Sequence, residues 1–141
     1  MKKKLLSLFI ALCLLVALVP PTLGTASAAG SCGEELTWSF DFATGTLTIE
    51  GRGDMYDYDY TDEAAPPWYS IKNNIKTIEI GKEVTGIGAY AFRYCYNVSK
   101  LVIPENISRI GYNALSTLFN LREVRVAEGN STFASDDSGA L

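Results

Sequence analysis

Histidine does not occur anywhere in these 141 residues. Without an imidazole, neither the Ser-His-Asp nor the Cys-His arrangement of nucleophilic catalysis can be assembled within the chain. Zinc held by histidine is excluded on the same ground, and cysteine is too scarce to replace it. The three cysteines are Cys13, Cys32 and Cys95, and Cys13 lies inside the one long apolar run, Leu5 to Val19. Lys2, Lys3 and Lys4 precede that run, and a small-residue stretch ending in Ala26-Ser27-Ala28 follows it. Basic head, apolar middle and small-residue end are the order of a secretory signal peptide, assigned to residues 1–28 with cleavage expected after Ala28 or Ala29. The run falls short of the ~20 residues that a membrane span needs and is stopped by Pro20-Pro21, so no stable membrane insertion is expected after its removal.

Positive charge is also in short supply. Three of the twelve basic residues belong to the leader while all sixteen acidic ones follow it, which leaves nine against sixteen, a net −7. Nucleic acids and anionic membranes attract clusters of Lys and Arg, so neither is an expected partner. Cys32 and Cys95 remain after cleavage into an oxidising compartment, where a disulfide is chemically open. Their places in the pattern favour two separate buried thiols, because Cys95 shares its repeat position with Leu118.

What is abundant is repetition. Ile75 to Asn97 is followed directly by Val98 to Asn120 at an offset of 23 residues, with no gap. Ile80 falls on Ile103, Val84 on Ile107, Ile87 on Ile110, Gly88 on Gly111, Ala91 on Ala114, Phe92 on Leu115 and Asn97 on Asn120. A period in this range marks units too small to bury their own apolar face and stable only when stacked. The triplets Ile78-Glu79-Ile80, Leu101-Val102-Ile103 and Val124-Arg125-Val126 predict short parallel strands. The glycine after the second apolar pair suits a corner needing positive φ or a close backbone. Ala91, Phe92 and Cys95, like Ala114, Leu115 and Leu118, are spaced as about one and a half helical turns. The expected fold is therefore α/β, a solenoid of short parallel strands and helical turns.

The flanks differ from the repeats. From Leu36 to Glu50 apolar and polar residues alternate around Thr44-Gly45, which predicts a β-hairpin, with Leu36, Trp38, Phe40 and Phe42 on one face. Gly51 to Trp68 reads as a long loop, rich in glycine, aspartate and tyrosine. Residues 29–70 are thus a β-rich N-terminal cap and residues 71–141 the repeats, two complete and a third incomplete. The third unit starts on time at Leu121, but Asn130 stands where Ile107 stood, and no polar cap follows. An uncapped C-terminal flank is expected to self-associate.

The I-P, V-x-x-I-G and A-F-x-x-C elements between Val84 and Leu115 resemble the BspA-like leucine-rich repeats of bacterial secreted and surface proteins, over roughly Ile75 to Val126. The segment from Ser31 to Tyr69 looks like the cap that precedes such repeats in secreted Gram-positive members. The resemblance implies a leucine-rich-repeat fold, a cell-surface or secreted location, and adhesion to host extracellular proteins, other cells or glycans.

Candidate sites follow from faces and clusters. Alternation turns Thr77, Glu79, Lys100, Val102, Glu123 and Arg125 outward, which makes two ladders across the strands; solenoids use such a face for partners, or leave it solvated. Tyr56, Tyr58 and Tyr60 offer contact area at low entropic cost, or pack beneath the cap. The acidic residues among them, Asp54, Asp57, Asp59, Asp62 and Glu63, could act as paired carboxylates or hold calcium, but they lack a rigid apolar frame and the EF-hand spacing. The sequence points to no catalytic residue, no metal and no cofactor. The Asn97, Asn106 and Asn130 sequons are read as chance matches. The functional expectation is a non-enzymatic exported binding or adhesion module with protein or glycan ligands. The alternative is a spacer or accessory region of a larger cell-wall-associated protein or enzyme.

Overall fold

A computed structural model describes residues 27–61 and 63–135; the leader assigned to residues 1–28 lies almost wholly outside them. Strict alternation builds the first elements. Strand β1 covers Ser27–Ser31, β2 Gly33–Asp41 and β3 Thr46–Met55. Within β2, Leu36, Trp38 and Phe40 are buried while Thr37 and Ser39 are exposed, because successive side chains point to opposite faces. Gly45 takes φ 72° at the turn, where the Asp41 carboxylate accepts bonds from the Ala43 amide at 2.8 Å and the Thr44 hydroxyl at 3.1 Å. β2 and β3 pair antiparallel, with Trp38 opposite Ile49 and Phe40 opposite Leu47. Phe42 departs from the expected face: it follows the end of β2, is 45% exposed and sets its ring against the edge of Phe40. β1 pairs antiparallel with β2, so the boundary drawn at residues 28/29 falls within a strand.

Gly51 begins no loop. β3 runs on to Met55 and bends at Gly51 and Gly53, where φ is 110° and 98°, values that only glycine adopts without strain. The bend lets one strand serve two ladders. Its first half pairs in parallel with β4, Thr77–Ile80, and its second half with β5, Val84–Ile87. The cap hairpin therefore supplies the first rung for the repeats, which continue as β6 at Lys100–Ile103, β7 at Arg109–Ile110 and β8 at Glu123–Val126. β7 pairs with β5, and β8 pairs with β6, each in parallel and one period on.

One junction is interrupted. β4 and β6 lie side by side but are not joined into one sheet, which leaves β6–β8 as a separate two-stranded sheet. One of the bonds absent there has a chemical cause. At the end of each strand the next amide bonds back to the preceding rung, Gly81 to the Ile49 carbonyl and Ala127 to the Ile103 carbonyl, both at 2.8 Å. The matching residue after β6 is Pro104, which has no N–H to give.

The expected helical turns are replaced by chained tight turns. The amides of Ala91, Arg93 and Cys95 close three-residue steps onto Gly88, Tyr90 and Phe92, whereas those of Tyr90 and Phe92 reach the Tyr112 and Ala114 carbonyls of the next unit at 3.0 and 2.9 Å. Left-handed φ at Tyr90, Tyr94, Asn113 and Thr117 produces this alternation and prevents α-helix from propagating. A short 3₁₀ helix at Tyr69–Asn74 leads into the repeats. No helix among the described residues is long and apolar enough to cross a membrane.

Between the ladders and the turns runs one core. Ile78, Val84, Ile87, Phe92 and Cys95 from the first unit meet Leu101, Ile103, Ile107 and Leu118 from the second. Trp68 joins cap to repeats. It is fully buried, stacks on Phe92 with centroids 5.9 Å apart, meets Trp38 and Tyr58 edge-on, and donates its indole N–H to the Ala91 carbonyl at 2.8 Å. Both described cysteines are free and buried, and burial pushes the thiol of Cys32 up to about 11 and that of Cys95 up to about 12, so they sit in the core as unreactive apolar groups.

Candidate functional site

The outward residues of the strands do converge on a feature of the surface. Where β4 and β6 fail to join, a depression of about 440 Å³ opens, lined by Thr77, Glu79, Lys100 and Val102 with Lys76 and Ser99 beside them. Four of the six ladder positions thus share one groove. Glu123 and Arg125 lie beyond it: Glu123 accepts Lys100 Nζ at 3.3 Å and an Arg125 guanidinium nitrogen at 2.9 Å. Hydrogen bonding from Lys100 and the charge of both cations hold the Glu123 carboxyl below its ordinary range. Val102 is 42% exposed, and Lys76 and Lys100 stand together at the end of the groove where β4 and β6 begin. An irregular strand junction with an apolar floor and charged rims is suited to binding by surface complementarity.

The three tyrosines are dispersed. Tyr58 packs beneath the cap, its hydroxyl donating to the Cys32 carbonyl at 3.3 Å, and burial raises its phenol well above the ordinary value. Tyr56 and Tyr60 are exposed, at 48% and 66%. Tyr56 lines a separate, more polar depression of about 680 Å³ with Glu34, Glu35, Asp54 and Asp57. Tyr60 turns instead to Tyr90, edge-on at 6.2 Å.

The acidic loop is organised by a residue the sequence reading did not single out. Arg109, on β7, reaches back to Asp57 at 2.9 Å and Asp54 at 3.6 Å. Asp57 also accepts the Ala89 amide at 2.7 Å. The hydrogen bond from Arg109, and then that from Ala89, hold the Asp57 carboxyl below its ordinary range. Asp59 bonds the neighbouring Tyr60 amide at 2.6 Å. Asp62 lies outside the described residues, and among those described no three acidic or thiol groups are placed to hold a metal ion. These carboxylates fasten the cap to the second repeat. No length of local sequence signals that clasp, because its partners are 52 and 55 positions apart.

The asparagines, three of them read as chance sequons, have a structural task. Asn97 Nδ2 donates to the Asn73 carbonyl at 2.6 Å, Asn120 to Tyr96 at 2.8 Å and Asn106 to Lys82 at 2.7 Å. Each reaches back 24 residues, one unit and one position, to satisfy a turn carbonyl. Asn130 does more: its amide donates to Pro104 and Ile107 while its oxygen accepts the Thr132 and Phe133 amides. The identity of Asn97 and Asn120 at the same repeat position was the available signal. At Gly88 and Gly111 the reason for glycine is close approach, since a Cβ at either place would collide with the backbone of Tyr56 or Ala89.

Comparison with known proteins supports a leucine-rich-repeat fold. Residues 68–136 match the family described as BspA type leucine rich repeat region (6 copies). A solved structure of a leucine-rich repeat protein from Eubacterium ventriosum is similar over 80% of this chain and 47% of its own, with 18% identity and a TM-score of 0.57. That likeness is one of fold, and this chain spans less than half the length of that protein. No curated protein matches the chain.

Proposed function

Residues 68–136 belong to the BspA type leucine rich repeat family, and we propose that the chain they sit in is an exported, non-enzymatic binding module whose contact surface is the outward strand face. The observation that carries this reading is the groove between β4 and β6, which gathers Thr77, Glu79, Lys100 and Val102. A continuous sheet would present these side chains as a flat ladder. Here the rungs are not joined, Pro104 lacking one of the amides that would bridge them, and the recess between them has an apolar floor and one basic end. Export rests on the basic head, apolar run and small-residue end of residues 1–28. Location at the cell surface and adhesion to host extracellular proteins, other cells or glycans rest on the family resemblance.

Immobilised protein incubated with fibronectin, fibrinogen, mucin and a glycan array tests the reading. At least one ligand is expected to be retained, and Val102→Asp combined with Lys100→Gln is expected to release it while thermal unfolding falls only slightly, since both side chains are exposed and the Lys100–Glu123 pair that is lost lies at the surface. Absence of retention across the whole panel refutes direct adhesion and leaves the spacer or accessory role.

A further inference from the structure

The turn side of the first repeat carries aromatic rings that the fold does not require. Tyr90 and Tyr94 sit at φ 56° and 67°, a region that bulky side chains rarely occupy. One repeat later Asn113 and Thr117 hold the same two backbone positions at φ 53° and 60°. The turn therefore forms without rings as well, and at the first of the two positions asparagine is the less strained occupant. Between the two tyrosines lies Arg93, its guanidinium 5.3 Å from the centroid of Tyr90 and 4.4 Å from that of Tyr94. Its Nε is buried without a hydrogen-bond partner, and no carboxylate among the described residues pairs with it. Tyr60 and Tyr112 extend the row, 6.2 and 5.7 Å from Tyr90, and are 66% and 72% exposed.

From this arrangement we infer that the tyrosine row with Arg93 at its centre is a second binding site, formed by turns and separate from the strand face, for a carboxylate-bearing saccharide. Each ring of the row carries a hydroxyl, which suits the alternating C–H faces and hydroxyls of a pyranose better than a purely apolar protein surface. Tyrosine also brings contact area at low entropic cost. The planar guanidinium, held by cation–π contact on two sides, offers its outer N–H groups to a carboxylate in paired hydrogen bonds. The net negative charge of the chain does not forbid this, since its field is screened over about 10 Å at 0.1 M salt and the local cation is unpaired.

Calorimetric titration of the exported protein with oligogalacturonate and with sialyllactose, each also as its methyl ester, tests the site. Saturable binding of at least one acid is expected, about tenfold tighter than that of its ester, because esterification removes the charge-assisted pair. Arg93→Gln is expected to lower binding of the acid to the level of the ester. The double variant Tyr90→Asn with Tyr94→Thr, which installs the residues of the second repeat, is expected to lose both while its unfolding temperature is kept. The inference is overturned if neither acid binds, if acid and ester bind equally, or if the double variant binds like the parent protein. Retention of a protein ligand through these same tyrosines, with no saccharide binding, overturns it as well.

Discussion

Arg109 and Asp57 carry the cap clasp, and their chemistry sets a pH dependence. In the folded chain Asp57 accepts bonds from Arg109 and from the Ala89 amide, which depresses its pKa relative to the unfolded state. A group with a depressed folded pKa adds stability that is fully present above the unfolded value, about 3.9 for an aspartate, and lost as pH falls through the folded value. Thermal unfolding of the parent chain is therefore expected to weaken more steeply below about pH 4 than that of Asp57→Asn. Equal slopes for the two proteins would show that the clasp contributes nothing to acid sensitivity. Both side chains are well exposed, so the difference is modest, as for surface ion pairs generally.

Proline at position 104 acts at the scale of an element, since it removes one of the amides that would join β6 to β4. Pro104→Ala supplies the missing amide in the place where Gly81 and Ala127 donate to the preceding strand. The alanine amide is expected to bond the Ile80 carbonyl and to be protected in hydrogen exchange. The net change is expected to be a loss of about 1–2 kcal/mol, because one added hydrogen bond is outweighed by the greater freedom of the unfolded chain and the buried ring atoms that are removed. Exchange of the new amide at the free-peptide rate would mean that the strands are held apart by something other than proline. The same substitution is expected to narrow the groove and so to alter any ligand retention on the strand face.

At the scale of the molecule, stacking among the described residues ends at β8. Among the described residues β8 pairs only with β6, while Leu121, Val124, Val126 and Phe133 are half-buried against the core. The segment after β8 turns back through Asn130, and Ser135 Oγ accepts the Val126 amide at 3.5 Å, which covers one point of that edge. An exposed edge with apolar neighbours templates further pairing. Sedimentation is expected to show a mean mass that rises with protein concentration, and a sharp monomer at high concentration would contradict this. Much of the architecture was legible beforehand, because burial imposes periodicity: a 23-residue spacing of Ile, Val, Ala and Gly places each unit over the last, and alternation from Leu36 to Glu50 makes a hairpin. The absence of histidine and the run of outward Thr77, Glu79, Lys100 and Val102 were equally open to reading. The conformation of the turns was not, since Tyr90 and Tyr94 look like ordinary helix positions until lateral bonds to the next repeat compete with local ones. Nor could local pattern show that β3 bends to start two ladders, that Arg109 clasps Asp57, or that Asn130 caps two carbonyls. Sequence by itself determined the period, the inward residues and the excluded chemistries, which depend on residue type and spacing along one strand or turn. The split between β4 and β6, the groove it opens and the clasp depend on which backbone groups meet across distant residues, and only the tertiary structure decided them.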